Sequence, residues 1–501
     1  MKSPPRLKGA LIFKLEIGNW KNKYMKPVVI IGAGPSGLAA AYELAINSVP
    51  VVLIERLGQV GGLSRTIRNN GAHFDVGPHR FFTQNAEIHQ LWEDILKENL
   101  LSVPRLTRIF YKNKFFYYPL APMNAFFGVG PVSAAAIVTS YLSTRLSQRI
   151  SPNEPKNFEE WVVNQFGRKL FETFFKTYTE KVWGIPCTQI GADWAGQRIK
   201  GLSLWTAVMN SIFKSKQKNI KTLVDEFVFP RGGAGFFYEG LASVVEDKGG
   251  KILLNRYAEG FRHEDSRIKS VILRNESGER EEIEGDAFLV SSPLSDGISG
   301  LTPEPPTEVT EAAKGLRYRS HLGVDMQVEG NPFPDNWIYV HSSDVKLARI
   351  ANYRNFSQEM AGSDSTTPIT VEYFCFPGDS VWERKDDELI DLARTELKHM
   401  KILQPDQVHS WFIVRNEKAY PVIEIGYESK IQILKSYIAR FKNFQPIGRS
   451  GMFKYNNMDH AIMTGLLAAR NYMGSKFDIW SVNIDAEYHE SAEVPQKNHS
   501  Q

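Results

Sequence analysis

Two short, wholly apolar runs flanking an alanine-rich stretch stand out along the chain. Pro27-Val28-Val29-Ile30-Ile31 and Val51–Ile54 are rich in β-branched residues and lack polar alternation, so each reads as a strand buried on both faces. Ser36 to Ala45 between them reads as a helix, and this order predicts a parallel βαβ unit. From about Ala86 to Thr222 helical periodicity takes over, at Glu87–Asn99, Phe158–Phe166 and Lys169–Tyr178, with the aromatic-rich stretch Phe110–Tyr118 read as extended. A helix at Phe237–Asp247 and short strands around Lys251–Leu254 and Ala287–Ser291 return the chain to α/β character. Alternating strands with one helix, Asp387–Met400, fill about Arg317 to Pro421, and a loop and helix follow at Gly448–Asn471.

Composition narrows the class. In 501 residues, 42% are hydrophobic and 23% charged, as in ordinary globular proteins. Sixty basic and 56 acidic side chains leave a net charge of only +4, which argues against a nucleic-acid surface. The two cysteines, Cys187 and Cys375, sit in no metal or redox spacing, so no disulfide framework or metal site is expected and a reducing cytoplasm fits. No apolar run approaches the roughly 20 residues that span a bilayer. Met1–Tyr24 shows no clear pattern and Met25 directly precedes the first strand, so Met25 is expected to be the physiological start or the residues before it a loose extension.

The first chemical signal lies in the turn after the first strand. Gly32-Ala33-Gly34-Pro35-Ser36-Gly37 follows a strand and opens a helix, the context a dinucleotide fingerprint requires. Gly32 serves the tight turn, Gly34 the approach of a pyrophosphate and Gly37 the helix–strand packing, while the helix N-terminus offers N–H groups to phosphate. Glu55 ends the second strand, where a carboxylate accepts ribose hydroxyls. Glu55-Arg56 then leads to Val60-Gly61-Gly62-Leu63-Ser64-Arg65-Thr66, a second glycine pair followed by an arginine.

That Glu-Arg, Gly-Gly, Arg-Thr order resembles the extended fingerprint of FAD-binding oxidases. Pro230-Arg231-Gly232-Gly233-Ala234-Gly235 resembles an element of the amine oxidase and protoporphyrinogen oxidase superfamily. Gly448-Arg449-Ser450-Gly451 with Asp459-His460 resembles that superfamily's closing flavin motif, whose helix N-terminus can stabilise anionic reduced flavin. The resemblance implies an α/β fold: a Rossmann-like, glutathione-reductase-type FAD lobe with a mixed sheet-plus-helical substrate lobe. Expected divisions are an N-terminal extension (1–25), FAD segments (26–95, 225–300 and 441–489), a mostly helical cap (96–224), an antiparallel-sheet substrate domain (301–440) and a polar tail (490–501) expected to be disordered.

Further segments are similar to UDP-galactopyranose mutases. Gly77-Pro78-His79 resembles the mutase loop whose histidine lies near the flavin. Phe158-Glu159-Glu160-Trp161, Phe174 through Tyr178 and Lys181-Val182-Trp183 resemble its uridine side, which carries over Phe174 and Trp183. Trp194-Ala195-Gly196-Gln197-Arg198, Trp337-Ile338-Tyr339, Arg349–Tyr353, Ala419-Tyr420-Pro421 and Lys454-Tyr455 resemble diphosphate-binding segments. The resemblance implies that Arg198 and Arg349 clamp a substrate diphosphate with Tyr339, Tyr420 and Tyr455, and that His79 tunes the flavin. It implies a nucleotide-sugar substrate, reduced flavin N5 as nucleophile toward the anomeric carbon, and NAD(P)H or another donor to reduce FAD. Two positions depart from the pattern: Ala121 stands where a polar amide is usual, and Tyr455-Asn456-Asn457-Met458 carries an amide where bacterial mutases have a carboxylate. A true FAD-dependent oxidoreductase of the amine oxidase or protoporphyrinogen oxidase type is the alternative, and a flavin-bearing scaffold the third reading.

Overall fold

The computed structural model describes residues 12–14, 26–81, 83–120, 122–192, 194 and 226–483. These form two compact units. The first comprises a segment ending at Arg65 together with Phe237–Arg317 and Glu428–Val482. The second comprises Thr66–Phe236 and Tyr318–Tyr427. The units divide at 65, 236, 317 and 427.

In the first unit a five-stranded parallel sheet has the order Lys251–Leu253, Val51–Ile54, Val28–Ile31, Ala287–Val290, Phe444–Pro446. The two apolar runs lie at its centre in register, Val28 opposite Val51 and Ile31 opposite Ile54, and every residue of both is buried. Helix Pro35–Ile46 opens with proline at its first position, where the missing N–H costs nothing. Helix Met458–Tyr472 lies so close to it that a Cβ on Gly465 would sit 2.1 Å from the Ser36 carbonyl oxygen.

A second sheet of this unit contains Arg256–Glu264, Arg267–Asn275 and Arg280–Glu284, three antiparallel strands that the apolar pattern did not reveal. Their alternate positions are charged and cross-paired, as in Arg280 Nε to Glu259 at 2.6 Å and Arg274 Nε to Glu259 at 2.8 Å. Ile12–Lys14 adds a parallel edge strand beside Arg280–Glu284, so part of the stretch expected to be loose is paired. The remaining residues before Lys26 and the tail from 484 lie outside the described residues.

The second unit is built on a seven-stranded sheet ordered Val408–Pro421, Tyr318–Glu329, Thr366–Cys375, Arg349–Asn352, Trp337–Val340, Thr107–Tyr111, Lys114–Tyr117. The stretch Phe110–Tyr118 is thus part of a hairpin, Thr107–Tyr111 with Lys114–Tyr117. One apolar core, including Leu322, Val324, Ile350, Val371 and Leu389, lies between this sheet and helix Asp386–His399. Helix Phe158–Phe166 stands where periodicity predicts it, whereas the stretch Lys169–Tyr178 runs through a short helical turn at Arg168–Leu170, a π-helical turn at Phe171–Phe175 and the start of helix Lys176–Trp183. A 20-residue helix, Pro131–Ile150, was not among the predicted ones. No described helix is long and apolar enough to cross a membrane.

Candidate functional site

The nucleotide end belongs to the first unit. Gly32 N–H donates to Ile54 O at 2.7 Å and Gly61 N–H donates to Ala33 O at 2.8 Å, so the second glycine loop is tied to the first. Gly37 has no room for a side chain, since a Cβ would lie 1.9 Å from the Gly32 carbonyl oxygen. Gly34 differs. Among the described residues a Cβ there would meet only the Gly62 Cα, at an ordinary 3.8 Å. That open cradle, at the N-terminus of a 12-residue helix, is what a pyrophosphate needs, and FAD fits it.

Glu55 is buried, its Oε2 accepting Ala33 N–H at 2.7 Å and its Oε1 accepting Leu57 N–H at 3.0 Å. A carboxylate has about four lone-pair sites, so two contacts leave room for ribose hydroxyls. Arg65 is buried and donates from NH1 to Gly62 O at 2.7 Å, whereas Arg56 is exposed. In the closing segment Gly448 N–H donates to Thr464 Oγ1 at 2.9 Å. Arg449 donates to Asn456 O at 2.8 Å and lies 5.2 Å above the half-buried Tyr455 ring. Asp459 is buried in the first turn of Met458–Tyr472, and Asn457 holds that helix's N-cap. Amide and carboxylate cap about equally well, which accounts locally for the departure at Asn457.

In the second unit strand register places two candidates and a buried glutamate in a row. Tyr339 lies opposite Arg349, and Arg349 opposite Glu372. Side chains directly opposite share a face of the sheet. Arg349 forms a bidentate pair with Glu372, Nε to Oε2 and NH2 to Oε1 at 2.7 Å. Behind it His321 Nε2 stands 2.8 Å from Glu372 Oε1, and His321 Nδ1 stands 3.2 Å from Asn416 Nδ2. His321 thus links Glu372 to Asn416 across the sheet. Burial pushes the Glu372 carboxyl up, but Arg349 and His321 outweigh it and hold the group at about 2. Burial pulls Arg349 down, yet Glu372 raises it further, so it stays a cation.

The Gly77-Pro78-His79 loop reaches this pair: a Cβ on Gly77 would lie 2.8 Å from Glu372 Oε1 and 3.2 Å from Arg349 NH2. His79 is half-buried in that loop. The Tyr339 ring lies 5.0 Å from Tyr118 and 5.4 Å from Tyr178, and Tyr420 is half-buried, 5.7 Å from Phe374. Tyr178 and Tyr420 both lie near enough to act electrostatically on Arg349. Phe174 is buried against Phe116 at 5.2 Å, and Trp183 is buried edge-on to Trp194 at 5.0 Å. Arg198 and Ala121 lie outside the described residues.

Sequence reasoning missed Glu372, His321 and the partners of the loop joining Tyr339 to Arg349. A lone glutamate inside the apolar strand Thr366–Cys375 was the available signal for Glu372. The loop is held from two sides. Lys181 Nζ donates to the carbonyls of Val340, Ser342 and Leu347 at 3.2, 2.7 and 3.0 Å, and Glu396 accepts the N–H groups of Lys346 and Leu347, the latter at 3.1 Å.

Also missed was Asp75, buried beneath Gly233-Ala234-Gly235. It accepts from Thr66 Oγ1 at 2.6 Å and from Ala234 N–H at 3.1 Å, and burial outweighs these donors to push its carboxyl up to about 7. The unfolded value is about 3.9, so the folded state keeps a proton that the unfolded chain loses between those values. The stabilisation is full below pH ~4 and falls, by up to about 4 kcal/mol, as pH rises to 7. Asp75→Asn should therefore gain stability relative to the native protein between pH 5 and 7.5 in urea unfolding. A stability difference that stays constant across that range would count against this role.

The chain matches the family described as flavin containing amine oxidoreductase over residues 35–472. It is 30% identical over 177 residues to the probable UDP-galactopyranose mutase of Klebsiella pneumoniae, covering 34% of this chain and 44% of that protein. It is 30% identical over 178 residues to the dTDP-fucopyranose mutase of Escherichia coli, covering 34% and 45%. The chain thus spans less than half the length of these two relatives. The coproporphyrinogen III oxidase of Bacillus subtilis is 22% identical over 83% of this chain and 91% of its own. A solved structure of reduced UDP-galactopyranose mutase superposes with a TM-score of 0.78 at 20% identity, over 92% of this chain and 98% of that one.

Proposed function

The chain belongs to the flavin-containing amine oxidoreductase family and takes FAD as its cofactor, and on that premise we propose that it isomerises a nucleotide sugar. The observation that carries this reading is the row Tyr339–Arg349–Glu372, with Tyr178 and Tyr420 around the arginine. A guanidinium has five N–H donors, and Glu372 engages two of them. Three remain for phosphate oxygens, held in a fixed plane by a partner with no solvent exposure. The phenols add neutral donors without further charge, a combination suited to a diphosphate.

Reduced FAD would supply a nucleophilic N5 for the anomeric carbon. The task of this chain's residues is to hold the nucleoside diphosphate in place, through Arg349 and, by resemblance, Arg198. Binding rather than proton transfer is thus the main work asked of the protein. Phe174 and Trp183 support the uridine side by packing, and His79 tunes the flavin. That one relative is a dTDP-fucopyranose mutase supports nucleotide sugars as the substrate class rather than UDP-galactose alone.

The second reading, an FAD-dependent oxidase, is favoured by the longer match to a coproporphyrinogen III oxidase. The two separate cleanly. Adding UDP-galactopyranose to the oxidised, FAD-loaded protein should shift the flavin absorption without forming peroxide. Peroxide formed in proportion to an added amine or porphyrinogen, with no response to any nucleotide sugar, would establish the oxidase instead.

A further inference from the structure

Among the described residues, 12 large apolar side chains are exposed, and seven of them fall between Tyr117 and Ile150. Helix Pro131–Ile150 buries Ala134 and Ile137 on one side. On the other, Val138, Leu142 and Leu146 are 48%, 58% and 60% exposed at fourfold spacing, which makes one continuous stripe. Ile150 extends it at one end, and Phe127, 71% exposed, stands just before the helix. An apolar face of this extent on a protein surface marks an interaction site.

The surrounding charge says what covers it. From Asn99 to Asn153 the sequence contains six basic residues and no aspartate or glutamate. Arg145 and Arg149 are exposed along the border of the stripe, and Lys114 donates to Gly128 O at 2.9 Å, next to Phe127. A second copy laid stripe to stripe would bring arginines together with no acid from this stretch to meet them. A bilayer with anionic headgroups supplies both partners at once, phosphates for the basic side chains and acyl chains for the leucines. The helix is roughly 30 Å long and lies along the surface of its unit, a geometry for lying in an interface rather than crossing it.

We propose that helix Pro131–Ile150 docks this protein onto anionic lipid surfaces. The claim is independent of which reaction the flavin serves. The test is co-sedimentation of the full-length, FAD-loaded protein with phosphatidylcholine vesicles and with mixed phosphatidylcholine–phosphatidylserine vesicles. Binding to the mixed vesicles should exceed binding to neutral ones on the order of a hundredfold and fall at high salt, as expected for about three basic side chains near the surface. Leu142→Glu with Leu146→Glu should weaken it at least about tenfold while flavin content and melting temperature stay unchanged. Leu142→Ser with Leu146→Ser gives the same comparison with no added charge. Three results would overturn the proposal: no binding by the native protein, equal binding by both double variants, or a lipid-free dimer that these variants dissociate in sedimentation velocity.

Discussion

Arg349→Ala is expected to reduce turnover by about a hundredfold to ten-thousandfold while the protein keeps its flavin. The arginine's free N–H groups would make two charge-assisted hydrogen bonds to the diphosphate, each worth roughly 1.5–3 kcal/mol, and every 1.4 kcal/mol is tenfold in rate. The substitution does a second thing. Glu372 has no solvent exposure and relies on Arg349 to remain ionised, so the single variant strands a buried carboxylate. Breaking such a pair costs about 3–5 kcal/mol. Arg349→Ala combined with Glu372→Gln should recover most of that stability in urea unfolding and none of the turnover. Flavin content, unfolding midpoint and rate therefore separate the two roles. If the single variant instead loses FAD, Arg349 belongs to the cofactor's site and the substrate assignment is wrong.

The glycine turn yields the second large effect, as a contrast between neighbours. Gly34→Ala places its methyl in the open cradle, against nothing closer than 3.8 Å in the described protein, so the apoprotein should fold normally. The same methyl occupies the space a pyrophosphate would fill, so FAD content should drop severely. Gly37→Ala drives its methyl to 1.9 Å from a backbone carbonyl in the centre of the βαβ unit, and no side-chain rotation relieves that. It should lower folded yield before cofactor affinity can be measured. Equal flavin loss with equal stability in both variants would show that the distinction drawn at these positions is false.

How far the sequence could be read depended on where burial was uniform. Val28–Ile31 and Val51–Ile54 are buried on both faces, so their composition alone identifies them as central strands. Arg256–Glu264, Arg267–Asn275 and Arg280–Glu284 escape because one face carries cross-strand ion pairs that break the apolar pattern. Helix Pro131–Ile150 escapes for the opposite reason: its outward face is apolar too, which erases the contrast on which helical periodicity depends. At the site, motifs pointed to the residues that would touch ligands, Gly34, Glu55, Tyr339 and Arg349. They did not point to those that hold them. Glu372 and His321 meet their partners only through strand register, across separations of 23 and 51 residues.

Nucleotide-sugar isomerisation that needs reduced flavin but consumes no electrons is the central claim, and one anaerobic experiment tests it directly. The FAD-loaded protein, reduced with dithionite, is incubated with UDP-galactopyranose and, separately, with dTDP-fucopyranose, and the products are resolved by chromatography. Conversion of at least one sugar to its furanose form by the reduced protein, none by the oxidised protein and no net flavin oxidation is the predicted result. Absence of interconversion with both, and no flavin spectral change on adding either, would contradict it.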